Sequence, residues 1–204
     1  MKNVLYAAML WLLTLPINAQ SVSLNTEGLD SAYVNSIIAR SQKIVDGLQL
    51  SDTKKAENVR NIIANRYFLL NAIHSKYDKS QQEARDAELY KHHFELASAL
   101  AQYLTEEQID AVKDGMTFGR LKRDYNATLD MIPTLTDEEK LQVLIWLKEA
   151  REYAMDAADS KGKHFWFDKY RGRTNNWLSS RGYDLKKERD EWMKRIEQQK
   201  AKQP

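Results

Sequence analysis

From residue 30 onward, apolar positions recur three and four residues apart, the spacing of amphipathic helices. Between 30 and 48 the repeat runs through Tyr33, Ile37, Ile38, Ile44, Val45 and Leu48. A longer repeat over 52–78 carries Val59, Ile62, Ile63, Phe68, Leu69 and Ile73. The next runs to Tyr103 through Ala87, Leu89, Phe94, Leu96 and Leu100. Shorter repeats predict helices over 105–115 and 119–131. A strong one over 137–160 passes through Leu141, Leu144, Ile145 and Met155, with Gly162 placed to stop it. A last helix is expected from Asp184 to Gln199, with Leu185, Trp192 and Ile196 on its apolar side. No stretch alternates with the period of two that a strand requires. The expected fold is an all-α, single-domain bundle of six to eight helices.

The helix starts carry their own chemistry. Thr105 followed by Gln108, and Thr136 followed by Glu139, are capping boxes, in which the hydroxyl and the longer side chain satisfy each other's free backbone amides. Ser51 offers a weaker start because Lys54 stands where Glu or Gln would complete the box. Ser80 is the expected cap of the helix that follows it.

The first residues follow a different pattern. Lys2 precedes an apolar run from Val4 to Leu15, Pro16 ends it, and Ala19 stands just before Gln20. That is the layout of a secretory signal peptide, and the run is too short to span a bilayer. The expectation is cleavage near Ala19, a mature chain of residues 20–204, and a periplasmic or secreted location. The chain has no cysteine, so disulfides and a cysteine-linked lipid are excluded and burial must hold the fold. The net charge of +2 hides an asymmetry. From Lys161 onward there are thirteen Lys and Arg against six Asp and Glu, whereas residues 20–160 carry seventeen against twenty-three. A basic end on an acidic body suits either an anionic partner or attraction between the two parts. With export expected, nucleic acid is set aside and an acidic polysaccharide fits better.

The segment from Lys161 to Asp184 concentrates rings, arginines and amides. On a continuous helix Trp166, Tyr170, Arg173, Trp177 and Arg181 share one face. Aromatic rings pack on the apolar face of a sugar, while arginine and asparagine bind carboxylates and hydroxyls. The candidate ligand-binding residues are therefore Trp166, Tyr170, Arg171, Arg173, Asn175, Asn176, Trp177 and Tyr183. The same rings would serve equally well to dock the last helices onto the bundle. His74 and Glu88 could approach across a turn, but their spacing lacks the paired Glu-x-x-His pattern of a bundle metal site, and no metal or cofactor is expected. No nucleophile elbow, phosphate-cradling loop or H-E-x-x-H motif occurs. Asp168, set among Trp166, Tyr170 and Arg171, is the one acid that merits a catalytic test.

Phe167, Lys169-Tyr170, Gly172-Arg173, Asn175 to Ser179 and Gly182 to Asp184 give the chain a resemblance to a family of exported, all-helical bacterial proteins of unknown function with a provisional sugar-binding label. The resemblance implies an exported, non-enzymatic carbohydrate-binding protein, accessory to polysaccharide capture or processing, and transfers no catalytic residue. Its expected partner is an oligo- or polysaccharide, acidic if the arginines take part. Two rivals remain: a periplasmic helical factor that binds other proteins, and a glycan-active enzyme built on Asp168.

Overall fold

The computed structural model describes residues 21–201, so the leader expected over 1–19 lies outside the described residues. The described residues form helices joined by short connections, with no strand: α1 Ser31–Asp46, α2 Thr53–Lys76, α3 Gln82–His92, α4 Glu95–Leu100, α5 Glu106–Met116, α6 Arg120–Met131, α7 Asp137–Met155, α8 Ser160–Ser180 and α9 Leu185–Ala201. The expected all-α bundle is what forms. α3 and α4 are one bent rod, interrupted at His93 and Phe94, where a single helix to Tyr103 was expected. The interruption lies where the His93 Nδ1 meets Asp156 Oδ2 at 2.7 Å, which couples the bend to the end of α7.

Both capping boxes form, with Thr105 accepting from the Gln108 amide and Thr136 from the Glu139 amide, each reciprocated. Two starts shift by a residue or two from their expected places. α2 is capped by Asp52, which accepts from the Lys55 amide. Asp78, not Ser80, caps the 3-10 turn that leads into α3. In both cases a carboxylate one or two residues upstream of or beside the serine is the stronger acceptor at a helix's positive end.

The other departure concerns the corner before the aromatic segment. α7 stops at Met155, and Asp159 caps α8 by accepting from the Gly162 amide at 2.7 Å. Gly162 therefore belongs to the first turn of α8 and does not end α7. Its lack of a side chain matters, because a Cβ there would lie 3.0 Å from the Ala157 Cβ.

Four apolar clusters occur among the described residues, and the two larger ones hold most of the bundle. Ile37, Val45, Val59, Ile63, Leu100, Val112 and Met116 join α1, α2, α4 and α5. Leu121, Val143, Leu147, Ala154, Phe167 and Tyr170 join α6, α7 and α8. Ion pairs made by two buried arginines tie the two together. Arg66 of α2 reaches Asp156 at 2.5 Å, and Arg151 of α7 reaches Asp110 and Asp114 of α5 at 2.6 and 2.7 Å. Ahead of α1, the extended residues 22–25 run along α2, where Asn58, Asn61 and Asn65 hydrogen-bond their backbone groups in place of a second strand. Among the described residues no helix is long and apolar enough to cross a membrane.

Candidate functional site

α8 runs unbroken through Gly172, so the predicted face exists. Trp166, Tyr170, Arg173 and Trp177 lie on one edge of α8, and that edge meets α7. Tyr153 of α7 stacks on Trp166 with centroids 4.6 Å apart and planes 18° from parallel. Tyr153 also lies 6.3 Å from Tyr170, and Trp146 meets Trp177 edge-on at 5.1 Å.

Cations fill the gaps between these rings. The Arg173 guanidinium sits 4.7 Å from the Trp146 ring and 5.8 Å from Tyr170, and Glu149 holds it at 3.4 Å. Lys169 lies 4.8 Å over Trp166, and Arg181 lies 5.1 Å over Trp177. Each contact restricts a long side chain that would otherwise wave in solvent, and guanidinium–ring contact is favourable when partly desolvated.

The edge is part seam and part surface. Tyr170 is buried, and burial, with its hydrogen bond to Glu149, pushes its hydroxyl well above the usual phenol range, so it stays protonated. Trp166 and Trp177 are half-buried. Tyr153 and Phe165 keep 48% and 58% of their surface exposed, enough for a flat ligand to cover. At about 100° per residue, Phe165, Lys169 and Asn176 fall together on the flank of α8 beside this edge.

The remaining candidates are placed elsewhere. Arg171 and Asn175 lie on the other side of α8, where Arg171 pairs with Asp168 at 3.2 Å. Tyr183, past the end of α8, donates to Glu139 at 2.7 Å. That hydroxyl, ahead of the Thr136 amide and Arg181, holds the Glu139 carboxyl down to about 2. Asp168 receives Arg120 at 2.9 Å, and this hydrogen bond keeps its carboxyl below the ordinary range. A carboxylate so held is a poor proton donor and a good anchor for Arg120. His164 contacts Arg120 at 2.9 Å and stacks with Phe118, away from the aromatic edge. His74 and Glu88 take separate partners: His74 reaches the Asp156 carbonyl at 2.8 Å, while Lys76 and Tyr77 hold Glu88. No group of three His, Asp or Glu residues suited to a metal ion occurs among the described residues.

Sequence reasoning missed the α7 half of this edge. Trp146, Glu149 and Tyr153 stand at i, i+3 and i+7, a readable stripe on the same helix whose aliphatic positions drew attention first.

A family model described as a protein of unknown function, DUF3826, matches residues 34–86 and 78–198. The chain belongs to DUF3826. The match takes in α7, α8 and most of the described helices, so both halves of the aromatic edge lie within the DUF3826 region. The two matched stretches overlap at 78–86, around the 3-10 turn before α3. No curated protein matches this DUF3826 chain.

Proposed function

We propose that this DUF3826 protein binds carbohydrate, with a preference for acidic oligosaccharides, on the exposed edge formed by α7 and α8. The observation that carries the reading is the alternation of rings and cations along that edge. Tyr153, Phe165 and Trp166 offer ring faces and edges, and Lys169, Arg173 and Asn176 offer donors beside them. From Trp166 to Trp177 the edge runs for roughly 16 Å at the rise of an α-helix, long enough for more than one sugar ring. Because Lys169 and Arg173 already rest on rings, little freedom is lost when they meet a carboxylate. The leader expected over residues 1–19 would place this surface in the periplasm or outside the cell, where polysaccharide is met. Capture without chemistry suits the site, since Asp168 is committed to Arg120 and Arg171.

Isothermal titration with uronic-acid oligomers and their neutral counterparts tests this. Acidic oligomers should bind. The double variant Tyr153→Ala, Phe165→Ala should lose about tenfold in affinity, from two ring contacts of ~0.5–1.5 kcal/mol each, with little change in folding because both rings are half-exposed. No heat with any oligomer, or unchanged affinity in the double variant, refutes the proposal.

One observation favours a protein partner instead. Leu141 and Ile145, one turn apart on α7, are 57% and 48% exposed. A pull-down that loses its partner in Leu141→Lys, Ile145→Lys while oligosaccharide binding persists would favour that reading.

A further inference from the structure

Away from the aromatic edge, α1, α2, α5 and the α7–α8 corner enclose a cavity of about 770 Å³, within the range that holds small organic ligands. Its two kinds of wall face a common space. Ile37, Ile44, Leu48 and Met116 make one side apolar. Arg40, Lys43 and Lys163 make the other cationic, and Tyr33 and Tyr67 lie beside them.

Lys163 is the decisive residue. Its side chain is 5% exposed, and its Nζ has no hydrogen-bond partner among the described residues. It lies 5.7 Å from the Tyr67 ring centre, with the Arg40 guanidinium 5.6 Å from the same ring. Two cations on one buried ring repel each other, and among the described residues neither Arg40 nor Lys43 is paired with a carboxylate. The acid that borders the cavity, Asp159, is occupied in capping α8. The positive end of the 21-residue α8 opens at the same corner, with Ser160 in the wall. A buried ammonium with unfilled donors, two solvent-exposed cations that pair with no carboxylate among the described residues, and a helix N-terminus together make a seat for an anion.

The wall also holds two constrained positions. Phe118 lines the cavity with φ of 62°, a left-handed conformation that costs a bulky residue strain, and stacks on His164 at 5.6 Å. Gly115 lines it too, where a Cβ would lie 3.0 Å from Ile44 Cγ2. The bare Gly115 backbone lets α5 close on Ile44 of α1 beside the cavity, and only Phe118 holds a strained backbone there.

We infer that this cavity is a second ligand site, separate from the aromatic edge, and that it takes a small organic acid whose carboxylate meets Lys163 and Arg40 and whose apolar body lies on Ile37, Ile44, Leu48 and Met116. The affinity falls as the solution becomes alkaline, because Lys163 loses its charge. The charged and titratable groups that face Lys163 are Arg40 from α1, Arg66 and Tyr67 from α2, Asp156 at the end of α7 and Asp159 ahead of α8. Burial first, then Arg40 and Arg66, push the Lys163 ammonium down to about 8 against the pull of Asp156.

Thermal unfolding and titration calorimetry of the purified protein with hexanoate, benzoate, benzamide and inorganic phosphate test the inference, with Lys163→Met and Arg40→Gln in parallel. The two carboxylates should raise Tm and benzamide should not. Lys163→Met should abolish the rise while remaining folded, Arg40→Gln should weaken binding severalfold, and binding to wild type should weaken between pH 7 and 9. Tyr153→Ala, Phe165→Ala should leave the carboxylate response intact, which keeps this site distinct from the carbohydrate surface. A response to phosphate but to neither carboxylate overturns the organic-acid assignment. An equal response in wild type and Lys163→Met, or no response to any probe, overturns the site.

Discussion

Replacing Lys163 with methionine should make the protein more stable, and the gain should depend on pH in a defined way. Methionine keeps the length and most of the apolar stem but removes a buried ammonium that has no hydrogen-bond partner among the described residues. In the folded chain the ammonium is pushed from its usual 10.5 down to about 8. That drop corresponds to about 3 kcal/mol withheld from the charged folded form, and at 5% exposure solvent does little to reduce it. Between pH 8 and 10.5 the unfolded chain still holds the proton that folded Lys163 has released. Wild-type stability therefore gains about 3 kcal/mol from this group as the pH rises through that window. Lys163→Met has no such group, so its advantage should reach up to about 3 kcal/mol at pH 7 and fade by pH 10.5. The packing change is the same at every pH, so the pH-dependent part isolates the ammonium. Tyr67, raised by burial to about 12, titrates above the window. Urea unfolding of both proteins from pH 7 to 10.5 gives the difference directly. A difference that stays constant across that range, or a variant that loses ground as the pH falls, would refute the reasoning.

Two glycines should respond to alanine with opposite signs. At Gly172, inside α8, a Cβ meets nothing within 4 Å, so Gly172→Ala should stabilise by about 0.5–1 kcal/mol in thermal unfolding. At Gly115 in α5 the Cβ would meet the stiff Ile44 side chain at 3.0 Å, and overpacking of ~1–3 kcal/mol should outweigh the same helical gain. A third test concerns Glu139, which receives Tyr183, Arg181 and the Thr136 amide. Its carboxyl is depressed from 4.5 to about 2, so its contribution is complete above pH 4.5 and is lost as the pH falls toward 2. Glu139→Gln should therefore cost about 2 kcal/mol at pH 7 and progressively less toward pH 2, as followed by chemical denaturation. A cost that does not shrink in acid would show that the charge is not what anchors the α8–α9 corner.

The capping boxes at Thr105 and Thr136 and the run of helix-spaced apolar residues were legible because they depend on neighbours within a few positions. Local hydrogen bonding and the 3.6-residue period decide a helix before any tertiary contact exists. The alignment of Trp166, Tyr170, Arg173 and Trp177 was legible for the same reason, given one unbroken helix. Its meeting with Tyr153 and Trp146 was not, because no local rule selects which neighbouring helix a face will meet. The bend at His93 needed Asp156, sixty-three positions away. The run of asparagines on α2 reads as ordinary polar surface until an extended segment lies against it.

Lys163 marks the boundary most clearly. In sequence it is one cation in Lys-Gly-Lys-His, next to the glycine expected to stop the preceding helix. Only the packing of α1 and α2 against the start of α8 buries it, strips its partners and sets it beside Tyr67 and Arg40. Residue order alone determined that this chain would be helices with marked beginnings, because those choices are made over one or two turns. Which charges would be left without water, and which rings would remain in it, was decided by how distant helices close on one another.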